Sequence, residues 1–385
     1  MAAVSERFNP GDVARQLDYC TFCPKMCRHA CPVSTTTGRE TLIPQAKMDR
    51  LNKLRAGVEP WKTESADPLW GCTGCRHCTV YCDHANEPGL VLFGGRAEAQ
   101  RRGVAHAALN GYAERFRARD ERLAKQSKER FGPERFAETG QVGFWPGCDT
   151  VDKGAQDVAA AFAVFERVGA EHVRLVDGGL SCAGYPLLAA GLTDLFRWHA
   201  GKVAGALRRF RTVVINCSAC LYALRSQYDG EGVSVGTEVL SLAEFMAQHA
   251  SRLPTPSTKK SVYYHDPCYL ARYAGVIEPP RRVLSQIATL REFGWARQDT
   301  ECCGGGGLLP KTAPSTADAM ARRRLAEVAA GGGGTVVTSC GTCAFMLRRN
   351  TPASVEVQDL PTAIAQLTET PVEPLRGSVE DPTYG

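Results

Sequence analysis

Seventeen cysteines in a chain of 385 residues fall into four sets, and this arrangement limits what the chain can fold into more than any other feature. The sets are Cys20, Cys23, Cys27 and Cys31; Cys72, Cys75, Cys78 and Cys82; Cys148, Cys182, Cys217 and Cys220; and Cys268, Cys302, Cys303, Cys340 and Cys343. An odd number of thiols cannot be consumed by disulfides within one chain, and a chain this long buries a core without bridges. A small disulfide-rich secreted scaffold is therefore excluded. Cysteines used merely as small apolar side chains would not sort so cleanly, so the sets point to metal. Met1 to Pro10 carry Glu6 and Arg7 and no apolar stretch, unlike a secretory signal, and the expected compartment is the reducing cytoplasm. The longest purely apolar run, Val158 to Phe165, is eight residues, against the roughly 18 that a membrane span requires. A net charge of +5 from 46 basic and 41 acidic residues is too balanced for a nucleic-acid binder.

The third and fourth sets follow one plan. Cys148 and Cys268 are 120 residues apart, as are Cys182 and Cys302, while Cys217 to Cys340 and Cys220 to Cys343 are both 123. Their flanks agree: WPGC with HDPC, LSCAGYPLL with TECCGGGGLL, and VVINCSACLYALR with VVTSCGTCAFMLRR. A constant period with matching flanks is an internal duplication.

Within each copy, β-rich runs alternate with helical periodicity. VGFWP, VRLV and TVVIN read as strands in the first copy, with Val158, Phe162, Phe165 and Val168 on one face of a helix. The second copy has VYYH and TVVTS, with helices expected near Arg281 to Ile287 and Ala317 to Ala329. Alternation of this kind implies crossover connections and a mostly parallel sheet in each copy. Cys148, Cys217, Cys268 and Cys340 then fall at or just after strand ends, where ligands gather in open α/β sheets. The expected division is 1–95, a helical cysteine-rich domain; 96–140, a helical connector whose mixed charges face water; 141–255 and 260–350, the two copies; and 351–385, a tail with one short helix near Pro361 to Leu367. The basic side of the connector could meet an acidic partner, but nothing in its spacing requires one.

The spacing C-x2-C-x2-C-x3-C is a four-iron ferredoxin pattern in which the fourth thiolate crosses to the neighbouring cluster. Cys72, Cys75, Cys78 and Cys82 match it, and Cys20, Cys23, Cys27 and Cys31 match with one extra residue in the middle gap. With the crossover, Cys20, Cys23, Cys27 and Cys82 hold one four-iron cluster, and Cys72, Cys75, Cys78 and Cys31 hold the other. Zinc also accepts four thiolates, but zinc sites usually pair two C-x2-C elements across a spacer rather than crowd four cysteines into a dozen residues. The stretch between Cys31 and Cys72 looks helical around Pro44 to Arg55, which suggests a helical ferredoxin domain.

Cys268, the pair Cys302-Cys303 followed by Gly304, and Cys340-x2-Cys343 resemble the cysteine-rich CCG module of the heterodisulfide reductase family. That family includes the catalytic subunit of heterodisulfide reductase and the iron–sulfur subunits of anaerobic glycerol-3-phosphate dehydrogenase, glycolate oxidase and lactate-utilisation enzymes. The resemblance covers about residues 17 to 350 and implies an α+β protein: a helical two-cluster ferredoxin domain followed by two tandem α/β CCG modules. It further implies a non-cubane four-iron cluster held by Cys268, Cys302, Cys303, Cys340 and Cys343. Elementary geometry supports the same residues, because adjacent cysteines can both face a metal only in a loop, and Gly304 to Gly307 supply one. The run Gly331 to Gly334 reads as a flexible turn, and no G-x-G-x-x-G dinucleotide loop occurs. The first module departs from the pattern, with Ala183 where a fifth cysteine is expected. Its Cys148, Cys182, Cys217 and Cys220 are left for a second iron–sulfur cluster, a structural zinc or neither. His265, three residues before Cys268, reads either as a hydrogen-bond or proton donor near the cluster or as a residue capping a strand end.

Several redox centres with no evident nucleophile, base or flavin loop imply passage of single electrons. The leading expectation is an iron–sulfur electron-transfer subunit. By resemblance, it is fed by a flavoprotein dehydrogenase or another redox subunit and delivers to a quinone, a membrane cytochrome or a disulfide, with any membrane association made through a partner. Two alternatives stand beside it: a disulfide reductase with Cys302 and Cys303 as catalytic residues, and a zinc-binding scaffold.

Overall fold

The computed structural model describes residues 10–375. Met1 to Asn9, which hold most of the segment weighed as a secretory signal, and residues 376–385 at the end of the tail lie outside the described residues.

The N-terminal region is helical, and proline at the first turn marks several of its starts. Pro32 opens Pro32–Thr37, Pro44 opens Pro44–Arg55 and Pro88 opens Pro88–Arg101, since the missing N–H costs nothing there and the fixed φ suits a helix. Helix Pro10–Phe22 packs against Pro44–Arg55, burying Leu17, Met48, Leu51 and Leu54.

Each copy of the duplication forms a wholly parallel sheet. In the first the strands are β1 (Phe136–Ala137), β2 (Gly140–Trp145), β3 (Arg174–Val176), β4 (Phe210–Ile215) and β5 (Glu238–Ser241), in the order β1-β3-β2-β4-β5. In the second they are β6 (Ser261–His265), β7 (Thr289–Glu292), β8 (Gly334–Thr338) and β9 (Val355–Asp359), in the order β7-β6-β8-β9. The orders β3-β2-β4-β5 and β7-β6-β8-β9 are equivalent, so the period in the sequence is a repeat in space. The central strands are apolar because both faces are covered: Phe144, Val213 and Val214 in one sheet, Tyr264, Val336 and Val337 in the other. The expected α+β plan and parallel sheets are observed.

The modules pack through exchanged positions. Helix Ala155–Arg167 of the first lies on Leu360–Leu367 of the second, and Leu242–Gln248 of the first on Glu278–Ile287 of the second. Across this junction Arg348 donates to both carboxylate oxygens of buried Asp157, at 2.6 and 2.8 Å, and Thr362 Oγ1 donates to the same carboxylate at 2.6 Å.

Two expectations need correction. Residues 351–375 are not a tail beyond the second module, because β9 pairs with β8 and the helix Leu360–Leu367 closes the contact with the first module. Pro352 and Pro361 flank the strand, and the helix expected near Pro361 to Leu367 is present, with Pro361 in its first turn. Nor is the segment 96–140 solvated throughout. It contains the end of Pro88–Arg101 and the helix Tyr112–Phe131, but Arg96 is completely buried.

Removing one partner of a buried ion pair strands the other charge, at a typical cost of about 3–5 kcal/mol. Because Arg348 is partly exposed and Thr362 remains, Arg348→Met should lower unfolding stability by about 2–4 kcal/mol, read as a fall in the thermal midpoint. A change below about 0.5 kcal/mol would show that the pair does not hold the modules together.

Candidate metal centres

Two hollows in the ferredoxin region are each lined by four of its cysteines. One is bordered by Cys31, Cys72, Cys75 and Cys78, with Lys47, Thr73 and Gly89. The other is bordered by Cys20, Cys23, Cys27 and Cys82, with Lys25, Asn86 and His84, and Cys78 also reaches its wall. Each thus draws on both sequence motifs. We call the first the inner set and the second the outer set. The inner loop turns at Gly74, where φ is +66° and an added Cβ would stand 2.4 Å from Tyr269 Oη. Gly74 N donates to Cys72 Sγ at 3.3 Å, and in the outer set Asn86 Nδ2 donates to Cys20 Sγ at 3.1 Å.

None of the seventeen cysteines is disulfide-bonded. Burial raises the Cys20 thiol to about 11 and the Cys27 thiol to about 12, and it also pushes Cys72 and Cys78 upward. Such thiols stay protonated at neutral pH unless a cation takes the proton's place, so metal uptake here releases protons. Clustered soft donors free of disulfides fit iron–sulfur or zinc coordination.

In the second module the cysteines follow strand ends as expected: Cys268 comes three residues after His265 at the end of β6, and Cys340 two after the end of β8. Cys302 and Cys303 lie in a loop. Cys268 Sγ is 4.0 Å from Cys302 Sγ, and Cys303 Sγ is 3.2 Å from Cys343 Sγ. Cys302 neighbours Cys303, and Cys343 neighbours Cys340, so all five thiols form one buried chain. The first module does not close a matching ring. Cys148 pairs with Cys182, while Cys217 lies between Cys220 and Cys340 of the second module. Ser218 Oγ donates to Cys340 Sγ at 3.1 Å. Ala183, at the position of the missing fifth cysteine, is fully buried, and its carbonyl accepts from Tyr228 Oη at 2.9 Å.

The glycine run brings the modules to the ferredoxin domain. A Cβ on Gly306 would stand 2.5 Å from Thr73 O, and one on Gly307, where φ is +60°, 2.2 Å from Cys72 O. This close approach brings Cys75 beside Cys302. Tyrosines line the same seam. Tyr269 Oη donates to Thr73 O at 3.0 Å and Tyr273 Oη to Gly74 O at 2.8 Å, while Tyr185 Oη accepts from Gly307 N at 3.1 Å and shares a hydrogen bond with Tyr269 Oη.

Three basic residues around the inner set escaped the sequence reading. Lys47 is 2% exposed and donates to Cys31 Sγ at 3.6 Å and Gly71 O at 2.8 Å. Arg96, 0% exposed, donates to the carbonyls of Leu69, Cys72, Ala189 and Gly307. Arg272, 8% exposed, donates to the carbonyls of Cys75, Gln298 and Thr300, and its Nη2 has no partner. Among the described residues none of the three is ion-paired with a carboxylate. Lys47 sits in the polar stretch PQAKMDRLNKLR, and only the fold shows that this lysine points inward.

His265 does more than end a strand. Arg324 Nε donates to its Nδ1 at 3.1 Å, which leaves the hydrogen on Nε2, and Nε2 is buried without a partner. A ring nitrogen of His265 and the sulfurs of Cys303 and Cys343 lie within 4.8 Å of one another. Burial, then the neighbouring Arg324, lowers the imidazole to about 3, so the ring is neutral.

A helical domain with two four-cysteine hollows, joined to two thiol-bearing α/β modules, defines a class: a protein built around several thiolate-lined metal sites. Residues 16–86 match the 4Fe-4S dicluster domain, and residues 262–348 match the cysteine-rich CCG domain. The chain is 28% identical over 307 residues to one subunit of the fumarate reductase (CoM/CoB) of Methanothermobacter marburgensis, covering 78% of this chain and 59% of that one. It is 26% identical to one subunit of the dihydromethanophenazine:CoB–CoM heterodisulfide reductase of Methanosarcina acetivorans, over 93% of this chain and 95% of that one, and 24% identical to the same subunit of the Methanosarcina barkeri enzyme, over 91% and 94%. The chain therefore carries a 4Fe-4S dicluster domain and a CCG domain and is similar to subunits of reductase complexes, and these matches speak for iron–sulfur chemistry rather than for a zinc scaffold.

Gly307→Ala should separate the glycine loop from the ferredoxin domain, because both its φ and the Cys72 carbonyl exclude a side chain. The expected result is a lower thermal midpoint and faster alkylation of Cys72 and Cys75 in metal-free protein. Gly94→Ala, on an open helix face with nothing within 4 Å, should leave the alkylation rates unchanged and hold or raise the thermal midpoint, since alanine favours a helix interior over glycine; equal effects of the two would contradict the seam.

Proposed function

We propose that the chain is an electron-transfer subunit in which Cys20, Cys23, Cys27 and Cys82 hold one four-iron cluster, Cys31, Cys72, Cys75 and Cys78 a second, and Cys268, Cys302, Cys303, Cys340 and Cys343 a non-cubane four-iron cluster. The single observation that carries this reading is the close approach of Gly306 and Gly307 to Thr73 and Cys72, which brings Cys75 of the inner set beside Cys302 of the second module. Iron–sulfur groups at these positions would supply one-electron redox chemistry; the protein's part is to hold them adjacent and dry. A flavoprotein dehydrogenase or another redox subunit docks at the outer set. The acceptor, a quinone, a membrane cytochrome or a disulfide, is served from the second module. No helix among the described residues is long and apolar enough to cross a membrane; the proposal places the subunit in the cytoplasm, with any membrane contact made by a partner. The first module's Cys148, Cys182, Cys217 and Cys220 take a further cluster or zinc.

Direct disulfide reduction, with Cys302 and Cys303 as catalytic residues, is a second reading. It is favoured by the neutral, buried ring of His265 near the sulfurs of Cys303 and Cys343, whose unpartnered Nε2–H is a hydrogen-bond donor for a leaving thiolate rather than an acid.

Anaerobically purified protein is expected to carry about eight iron atoms from the ferredoxin domain and about twelve with the second module filled. Zinc without iron would contradict the proposal. With an artificial donor and no partner protein, disulfide reduction abolished in Cys303→Ala supports the second reading, and its absence in wild type leaves electron transfer alone.

A further inference from the structure

The two ferredoxin-type sites sit in opposite electrostatic surroundings. Around the inner set, Lys47 stands at Cys31, Arg96 at Cys72 and Arg272 at Cys75, all buried and none ion-paired with a carboxylate. The anions nearby are already engaged: Glu87 is clamped by the Arg76 guanidinium, and Asp299 accepts from Tyr81 Oη. His77, buried and held neutral by that burial, adds no charge. Arg324, another buried guanidinium, faces His265 and the second module rather than the inner set. The outer hollow has no buried cation among the described residues lining it. Lys25 there is exposed and screened by water, Asn86 contributes a neutral amide, and exposed Asp83 directly follows Cys82.

We propose that Lys47, Arg96 and Arg272 poise the inner site at a higher reduction potential than the outer one, which fixes the direction of net transfer from the outer set toward the modules. This rests on the iron–sulfur reading of both sites. In the step, one electron leaves the outer site and one enters the inner site, so the inner site gains one negative charge while the outer loses one. A one-electron donor, a reduced flavin or iron–sulfur partner at the outer set, restores it. Burial alone disfavours the added charge at the inner site. Three uncompensated cations in the same low-dielectric region act the other way, and buried charges are little screened. The cations also explain themselves by this role: a buried guanidinium with only carbonyl partners is costly unless an anion lies beside it. Arg272 reaches further, since its charge acts on Cys268 as well as Cys75 and so favours an electron on the module side of the seam.

The test is an anaerobic redox titration of the full chain followed by electron paramagnetic resonance, with Cys82→Ser and Cys31→Ser assigning the outer and inner signals. The inner site should be reduced first, with an equilibrium preference of at least tenfold, about 59 mV for one electron. Lys47→Met and Arg272→Gln should each lower the inner potential and leave the outer one in place, and Lys47→Arg should restore the order. Outer-first reduction of iron-replete wild type overturns the inference while leaving the iron–sulfur reading intact, as does a variant that shifts both sites equally or neither. Should both variants lose iron, the wild-type order alone decides. A wild-type chain without iron overturns both.

Discussion

One guanidinium joins the three parts of this molecule. Arg96, with no exposed surface, donates to Leu69 and Cys72 in the ferredoxin domain, to Ala189 in the first module and to Gly307 in the second, with its face over Phe93. An unpaired buried cation survives only if its donors are satisfied and negative charge is near. Its four carbonyl partners meet the first condition, and the thiolates of the inner set meet the second when metal is bound. The arrangement therefore couples assembly of the three units to occupancy of the inner site, whose four cysteines all belong to the ferredoxin domain. It also explains why Gly306 and Gly307 lie so close to Thr73 and Cys72: the carbonyls that receive Arg96 must converge within the span of one side chain.

Much of the frame was legible in the sequence because hydrophobic period and thiol spacing are local signals. The 120- and 123-residue offsets become two sheets of equivalent order, and the cysteines of the C-x2-C runs line two hollows. The seam was not legible. Its determinants are long-range: a lysine within a polar helix, an arginine in a charge-rich segment read as solvated, and an arginine between two tyrosines, each turned inward by packing that no window of sequence reports. The edge strand Val355–Asp359 was missed for a related reason. It lies in the segment expected to be a tail with one short helix, and what makes it a strand is its pairing with β8.

The duplication has kept its scaffold and divided its chemistry. Where the second module has Cys303, the first has Ala183, and the surrounding space is closed by Tyr228 rather than left open. Cys217 has turned outward to Cys340 and Ser218 donates to the same sulfur, so the first module contributes to the environment of the second. The equivalence visible in the sequence thus ends at the cysteines, where the two copies take complementary positions along one line of sulfur from Cys75 through Cys302, Cys303, Cys343 and Cys340 to Cys217.

That line is the central claim, and magnetic coupling tests it most directly. In fully reduced, iron-loaded protein, the account predicts that the inner-site resonance is split or broadened by its neighbour in the second module and sharpens to an isolated signal when Cys303→Ala empties that neighbour. A reduced spectrum that is the simple sum of independent centres, unchanged by the substitution, would contradict it.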